Sequence, residues 1–411
     1  MTGHDRPSRR LALGLLGAVP LAAALTRTAE ASARSSGAGR IPQALRPGGD
    51  YDRFLKNLAD EDEFSGTVLV AYRGKTVLAR AYGMADKERE VPNRIDTIYN
   101  LASTAKPFTG LAIIQLAQQG KLRLTAPLGT YLDGFSRSVA DHVTIHHLLT
   151  HTSGLSNYAE GVDIKRVTSS VEEEIAFRKE MHRRAETTFT PGSGHAYSSL
   201  GFSILGEVVE TLTGTYIHDY IAANIFAPAK MTSSKYYTRH DWLTDERIAH
   251  PYIYQRDGSR VDGVRNLDAG ATINGGEGTN AARSWLGSGG GGGFSTAPDL
   301  VRFALALESG KLLRHNRAWT ELYMGSKIPI PPRPGSTPPT GSDQGFSGYG
   351  ATAHLVNDQR LFGHGGGIAG GNANWTIYRD SDWIGIILCN YDLDIQSIIS
   401  REREAVFGST S

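Results

Sequence analysis

The sequence contains very little cysteine: Cys389 is the one cysteine among 411 residues. A single cysteine cannot form a disulfide within the chain or supply a cysteine-based zinc site. Cys389 directly follows the apolar run Trp383–Leu388. Because a nucleophilic thiol usually needs an exposed, electropositive setting, we expect Cys389 to be a buried strand residue and not a catalytic one.

An excess of either charge is also missing. The chain carries 43 Lys and Arg residues against 42 Asp and Glu residues, which gives a formal net charge of +1. This balance provides no electrostatic basis for binding nucleic acid. Hydrophobic residues make up 40% and charged residues 21% of the sequence, a composition that is typical of a globular protein and excludes a disordered or fibrous one.

Two motifs of common hydrolases are absent. No Gly-x-Ser-x-Gly occurs, which excludes the usual nucleophile elbow of α/β-hydrolases, and no His-Glu-x-x-His of a zinc protease occurs. The apolar stretch 11–25 is too short to span a membrane comfortably and contains Pro20, so we expect no permanent membrane anchor.

The N-terminal segment has the features of an export signal. Arg9 and Arg10 precede the apolar stretch, and residues 31–33, Ala-Ser-Ala, offer the small-x-small pattern of a cleavage site. The arginine pair resembles a twin-arginine signal. We therefore predict a signal peptide over residues 1–33, a linker over 34–50 and a secreted or extracytoplasmic protein; an ordinary secretory signal and a basic tail are the alternatives.

The order of the predicted elements indicates an α/β architecture. Strand-like runs occur early and late in the chain, and a mostly helical stretch separates them. We therefore expect an antiparallel sheet built from both termini and flanked by helices, with the helical region inserted. The predicted elements are a hairpin over 67–83, helices over 104–119, 200–210 and 395–407, further helix within 143–213, and strands over 350–356, 374–378 and 383–390.

These elements predict a single catalytic domain over residues 51–411. Its α/β part comprises 51–102 and 290–411, and its mostly helical part comprises 103–289. Two segments rich in Gly or Pro, 287–293 and 329–339, are predicted loops.

One tetrapeptide combines a nucleophile with a base. Ser103-Thr104-Ala105-Lys106 is the single Ser-x-x-Lys in the chain, and it falls at the start of a predicted helix, so that Ser103 and Lys106 share a face. The positive potential of a helix N-terminus disfavours an ammonium ion there and moves Lys106 toward the neutral amine that can take the serine proton. Ser103 is therefore a candidate nucleophile. An N-cap serine followed by a solvated lysine is the alternative.

Other motifs extend this candidate site. Together with Ser103 and Lys106, they resemble the catalytic motifs of the serine β-lactamase and penicillin-binding-protein superfamily, nearest its class C, D-alanyl-D-alanine carboxypeptidase and esterase branch. The resemblance covers about residues 64–390 and also implies a β-lactamase-like fold. The segments that carry it are 146–155 (HHLLTHTSGL), 189–192 (FTPG), 195–202 (HAYSSLGF), 292–300 (GGFSTAPDL) and 362–367 (FGHGGG).

The resemblance implies a role for four side chains. Ser103 would be the acylated nucleophile and Lys106 its proton partner. Tyr197 would be a second acid/base, held as a phenolate by the nearby ammonium. His364 stands where many relatives have the lysine of a Lys-Thr-Gly strand motif.

The resemblance also implies how substrate is held. The backbone N–H groups of Ser103 and Gly367 would form the oxyanion hole, and Gly365 and Gly366 would let substrate approach the strand edge closely. Neither a cofactor nor a metal is expected; the expected partner is a small ester, amide or peptide substrate, and the sequence leaves the oligomeric state open.

One residue departs from the family pattern. Ser199 stands in the substrate-binding position where relatives that handle β-lactams usually carry the asparagine of a Tyr-x-Asn motif. A hydroxyl reaches less far than an amide and offers fewer donors. We therefore predict a serine hydrolase acting through an acyl-enzyme, an esterase or a D-amino-acid peptidase or amidase. A transacylase of natural-product biosynthesis, a β-lactamase and an acylated sensor without turnover are the alternatives.

Other interpretations of the sequence are weaker. His142, His146, His147 and His151 have helix-compatible spacing that could bind a metal, although their segment also matches the resembled family. Residues 365–370 fit Gly-x-Gly-x-x-Gly, but a strand and not a helix is predicted after them, so a dinucleotide would lack its helix N-terminus.

Overall fold

The computed structural model describes residues 41–156, 163, 165–270, 280–332 and 344–408. The predicted signal peptide and most of the predicted 329–339 loop lie outside these residues. Gln43–Leu45, within the predicted linker, forms a 3-10 turn, and the Leu45 side chain is buried. In the described part of the chain, no helix has the length and apolarity to cross a membrane.

The strands form one large sheet and three small pairs. The strands are β1 Gly66–Tyr72, β2 Lys75–Tyr82, β3 Met84–Asp86, β4 Val91–Pro92, β5 Tyr99–Asn100, β6 Tyr252–Tyr254, β7 Arg260–Asp262, β8 Phe294–Ser295, β9 Ile328–Pro329, β10 Gln344–Ser347, β11 Thr352–Val356, β12 Gln359–Ile368, β13 Gly371–Tyr378 and β14 Trp383–Cys389. Eight antiparallel strands make the large sheet, in the order β2-β1-β14-β13-β12-β11-β10-β9.

The early hairpin joins the late strands through β1 and β14. Their register runs from Gly66 opposite Cys389 to Tyr72 opposite Trp383. The expected antiparallel sheet built from both ends of the domain is thereby confirmed. Cys389 is buried, as expected, and burial raises the pKa of its thiol to about 12.

The helices cover both faces of the sheet. They are α1 Asp50–Asp60, α2 Lys106–Gln118, α3 Arg137–Ala140, α4 Ile145–Leu149, α5 Val171–Arg183, α6 Ser199–Thr213, α7 Ile217–Ile221, α8 Ala227–Ala229, α9 Arg239–Thr244, α10 Ala297–Glu308, α11 Arg317–Met324 and α12 Gln396–Phe407. On one face α10 packs on β1 and β14, and on the other α12 packs on β14 and α1. Gly385 on β14 faces α12, because a Cβ at that position would collide with the Glu402 carboxyl group.

Helix α2 lies at the centre of the main core. Its residues from Lys106 to Leu116 are all buried, and it packs against α6. A helix that is apolar on every side needs neighbours on every side. The Phe108 ring, for example, meets Phe226 and Phe303 edge to face, with ring centres 5.0 and 4.9 Å apart. The start of α2 is therefore held in one place by segments from all over the domain.

Candidate active site

Ser103 lies on a tight turn at the entrance to α2. Residues Ala102–Ala105 form a 3-10 turn, and α2 begins at Lys106. Ala102 has a φ of 49°, in the left-handed region that is uncommon for residues other than glycine. Its N–H donates to Asn100 Oδ1 at 2.8 Å, and its carbonyl accepts from the N–H of Gly292 at 3.2 Å. Backbone strain of this kind persists where the surroundings fix it, and it is common at functional sites.

Lys106 points from the first residue of α2 back to Ser103. The Lys106 ammonium nitrogen, Nζ, donates to Ser103 Oγ at 2.8 Å, to the Gly290 carbonyl at 2.6 Å and to Ser199 Oγ at 3.2 Å. The side chain is fully buried, and this desolvation lowers the pKa of Lys106 to about 7. The predicted shift is therefore present, and its cause in the structure is burial of the side chain.

Tyr197 borders the cleft just before α6. Lys106 Nζ lies 4.9 Å from the centre of the Tyr197 ring. The residue as a whole is 40% exposed, whereas its hydroxyl hydrogen-bonds with Ser103 and Ser199. Desolvation of the hydroxyl raises the pKa of Tyr197 to about 12, even though both hydrogen bonds lower it. The expectation of a phenolate is therefore wrong for the free protein, because the buried phenol keeps its proton at neutral pH.

Ser199 is the first residue of α6, next to Ser198, whose hydroxyl caps the helix by accepting from the Gly201 N–H at 3.0 Å. The cap turns Ser199 toward α2, where its hydroxyl meets Lys106 Nζ and the Tyr197 hydroxyl. Ser199 thus lies among the groups that can carry a proton, in addition to its predicted place beside substrate.

Strand β12 forms the other wall of the site. Strand β11 begins at Thr352, opposite Gly363, so the edge of β12 from His364 onward is paired on the β13 side and not by β11. An added Cβ on Gly366 would lie 2.7 Å from the backbone nitrogens of both Ser103 and Thr104. Only glycine allows the strand to pass this close to the nucleophile turn.

His364 is buried on the same wall. Its ring centre lies 6.4 Å from that of Tyr197, and its Nδ1 donates to the Gly365 carbonyl. This bond places the ring proton on Nδ1 and leaves Nε2 free to accept. Burial and the proximity of Lys106 lower the pKa of His364 to about 3, so the ring is neutral at pH 7. Further along the same strand, an added Cβ on Gly367 would lie 2.7 Å from Asn372 Oδ1.

The structure therefore brings the predicted residues together around Ser103 and Lys106. Two contributors were not predicted: the Gly290 carbonyl, which accepts from Lys106, and His151, whose ring stacks on Tyr197 with centres 4.4 Å apart. The glycine-rich loop 287–293 signalled a close backbone approach without indicating its target. His151 was noted in the sequence for its spacing from other histidines and as part of the family-like segment 146–155, and neither observation indicated this contact.

The alternative sites do not have the same support. His146 Nδ1 contacts the Tyr349 hydroxyl at 3.1 Å, while His151 Nδ1 accepts from the Ser198 N–H at 3.1 Å, so these two histidines turn to separate partners. The segment that fits Gly-x-Gly-x-x-Gly leads from β12 into β13, and no helix follows it. A phosphate at this point would meet a strand.

A further cluster joins Asp86, His250 and Asp262, whose ligand atoms lie within 4.8 Å of one another. The guanidinium of Arg265 bonds both carboxylates, to Asp86 at 2.7 Å and to Asp262 at 2.5 Å. Because Arg265 already pairs with both carboxylates, we interpret this cluster as an ion-pair network rather than a metal site.

The structure also contains a second serine with a histidine and a carboxylate. His182 Nε2 lies 2.8 Å from Ser203 Oγ, and His182 Nδ1 lies 2.7 Å from Glu207 Oε2. All three side chains are buried, and the adjacent cavity of about 10 Å³ has room for a single water molecule. A substrate cannot enter, so this group links α5 to α6.

Comparison with known proteins identifies the family of the chain. The family model described as β-lactamase matches residues 51–406. The chain belongs to the β-lactamase family. Among curated members, esterase EstB of Burkholderia gladioli is 35% identical over 227 residues, which cover 51% of this chain and 57% of the relative. A penicillin-binding protein of Bacillus subtilis strain 168 is 33% identical over 204 residues, covering 49% of this chain and 43% of the relative.

Solved structures of the family share the fold. The crystal structure of a penicillin-binding protein from Bacillus halodurans has 26% sequence identity and a TM-score of 0.70, and the match covers 85% of this chain and 98% of that one. The chain spans about half the length of the curated relatives that it matches. The family and the β-lactamase-like fold, both expected from the motifs, are thus confirmed.

Proposed function

We propose that this member of the β-lactamase family is a serine hydrolase that forms an acyl-enzyme on Ser103 with an ester or amide substrate. One observation carries the proposal: Lys106 Nζ lies 2.8 Å from Ser103 Oγ, and burial lowers the pKa of this amine to about 7. At neutral pH about half of the amines are uncharged and can accept a proton. A solvated lysine could not do so.

In the acylation step, Ser103 Oγ attacks the substrate carbonyl carbon while its proton moves to Lys106 Nζ. The carbonyl oxygen becomes an oxyanion, which the backbone N–H groups of Ser103 and Gly367 receive. The close fit of Gly366 on the nucleophile turn keeps the strand and the turn at a fixed separation. His364, neutral and buried, offers a hydrogen-bond acceptor at Nε2 without adding charge beside the new ammonium ion.

Tyr197 then acts as the acid of the first half-reaction. Its protonated hydroxyl, hydrogen-bonded to Ser103, donates to the leaving alcohol or amine as the bond to the acyl carbon breaks. The resulting phenolate lies beside the ammonium ion of Lys106, whose charge stabilises it. This phenolate takes a proton from the water that attacks the acyl-enzyme, and the proton on Lys106 returns to Ser103 as the acid product leaves.

Among substrates, we propose an ester, or an amide of a D-amino acid, ahead of a β-lactam. Relatives include esterase EstB and penicillin-binding proteins, so family membership alone leaves the choice open. The Ser199 hydroxyl supports the choice, because it is engaged with Lys106 and Tyr197 and is shorter than the amide that it replaces.

The test is intact-mass analysis after incubation with p-nitrophenyl esters, D-alanyl peptides and penicillins. We expect an adduct that wild-type protein forms and loses, and that Ser103→Ala does not form. Ser103→Ala should retain less than about a hundredth of the wild-type ester rate, since acid/base help alone is worth 10²–10⁴-fold. Ser138→Ala, at an exposed serine, is the matched control.

The outcomes separate the alternatives. Transfer of the acyl group to an added amine or alcohol in preference to water would favour a transacylase, and a stable adduct without turnover would favour a sensor. An active Ser103→Ala protein with wild-type stability would contradict the proposed nucleophile.

We further propose that the protein is exported through its twin-arginine-like N-terminus. The sequence supports this with Arg9 and Arg10 before the apolar stretch. Replacement of both by lysine should retain the protein inside the producing cell, whereas Arg6→Lys, the control, should not. Unchanged export of the double variant would favour an ordinary secretory signal.

A further inference from the structure

His151 packs on Tyr197 on the flank of the site. The two rings are stacked, with centres 4.4 Å apart and planes inclined by 29°. His151 is buried, and its other face meets the Phe202 ring at 5.1 Å. We propose that His151 is a positioning residue, which holds the Tyr197 hydroxyl toward Ser103; this inference rests on the proposed function of Tyr197.

The hydrogen bonds of His151 bracket Tyr197 in the chain. The His151 carbonyl accepts from the Ala196 N–H at 2.9 Å, and its Nδ1 accepts from the Ser198 N–H at 3.1 Å. These donors are the residues immediately before and after Tyr197. One histidine therefore fixes the backbone on both sides of the tyrosine while its ring supports the tyrosine ring.

The ring must be neutral to make this contact. Because Nδ1 accepts an N–H, the ring proton is on Nε2. Burial and the nearby Lys106, His364 and His195 all lower the pKa of His151 well below its ordinary value. His151 therefore keeps its acceptor throughout the pH range in which Lys106 titrates.

The backbone at this position would favour a different residue. His151 has a φ of 59°, in the left-handed region that glycine and asparagine adopt more easily. Histidine occupies this strained position, and its carbonyl, Nδ1 and ring face all contact the segment 196–198. Neither glycine nor asparagine can supply the ring face.

The test is a double-mutant cycle with His151→Asn and Tyr197→Phe. Asparagine tolerates a left-handed φ, so the backbone is kept while the stacked ring is lost. We expect His151→Asn to lower kcat on a p-nitrophenyl ester by about 10- to 100-fold in the wild-type background, because misplacement of a catalytic group by about 1 Å has effects of this size. In the Tyr197→Phe background it should lower kcat by less than about threefold, because the group that it positions is gone.

The pH profile gives a second readout. Burial raises the pKa of Tyr197 to about 12, so loss of the covering ring should bring that pKa down toward its ordinary value of 10. The groups that face Tyr197 and His151 are Lys106, His364 and His195. We expect a basic limb to enter the measurable range in His151→Asn, while the acidic limb set by Lys106 stays near pH 7. His315→Asn is the matched control, since His315 is an exposed histidine with a φ of 53°.

Each outcome is decisive. Equal losses in both backgrounds, or an unchanged rate and pH profile, would overturn the proposal. If His151→Asn does not fold, His151→Gly, which fits the same φ without strain, replaces it; failure of both to fold would assign His151 to structure and also overturn the proposal. If Tyr197→Phe alone leaves the rate unchanged, the proposed role of Tyr197 fails, which is a separate result.

Discussion

The close approach of Gly366 to the nucleophile turn gives a quantitative prediction. In Gly366→Ala the new methyl group would lie 2.7 Å from the backbone nitrogens of Ser103 and Thr104 and 3.1 Å from Ser103 Cα, whereas ordinary contacts begin at 3.4 Å. The atoms met are backbone and cannot rotate away. The strand and the nucleophile turn must therefore separate by about 0.7 Å, close to the 1 Å displacement that costs about 100-fold in rate.

The displaced groups include the N–H of Ser103, which we place in the oxyanion hole. Loss of one such donor costs about 10²–10³-fold in kcat. We therefore expect Gly366→Ala to lower kcat/KM on a p-nitrophenyl ester by about 100-fold. The assay is steady-state hydrolysis, with the melting temperature of each variant measured alongside to show that it is folded.

Gly365→Ala is the matched comparison. A Cβ on Gly365 would point to the other face of the strand, where its nearest neighbours are Asn374 Oδ1 at 3.5 Å and the Ala373 carbonyl oxygen at 4.0 Å. Its loss should be at least about tenfold smaller than that of Gly366→Ala. If a folded Gly366→Ala protein retains a third or more of the wild-type kcat/KM, the oxyanion hole is not where we place it.

Three further predictions follow from single groups. The rate of ester hydrolysis should rise with pH through about 7 as Lys106 loses its proton. The double variant Lys106→Ala, Tyr197→Phe should lose less activity than the product of the two single losses, because the two groups share one proton relay. A flat pH–rate profile or independent losses would contradict this relay. Ser199→Asn should raise the ratio of kcat/KM for nitrocefin to that for a p-nitrophenyl ester. The expected rise is about tenfold for each 1.4 kcal/mol of β-lactam transition-state binding that the asparagine restores. A wild-type protein that already cleaves both substrates equally well would refute this reasoning. Burial raises the pKa of Glu402 to about 7, so between pH 4.5 and 7 the native state keeps a proton that the unfolded chain loses. The free energy of unfolding should therefore fall by up to about 3 kcal/mol as the pH rises across this window. In denaturant unfolding, Glu402→Gln should remove this loss, whereas Glu404→Gln, at an exposed residue of the same helix, should not.

The sequence by itself determined the family, the order of the motifs and most of the sheet. Strand and helix patterns depend on residues a few positions apart, which is why the hairpin of β1 and β2 and the later strands β11, β13 and β14 are predictable. The chemistry of Ser103 and Lys106 is likewise local, since the two residues are three positions apart in the chain. Sequence spacing alone therefore predicts that these two groups interact.

The tertiary structure decided the charge states and the contacts of the site. Lys106 has a lowered pKa because it is buried by segments distant in sequence, and the Gly290 carbonyl that it bonds lies 184 residues away. Tyr197 keeps its proton for the same reason, and its contact with His151 depends on a loop that no local pattern specifies. Desolvation is a property of the whole surrounding volume, so a sequence pattern can name the groups in a site without fixing which of them carry a proton.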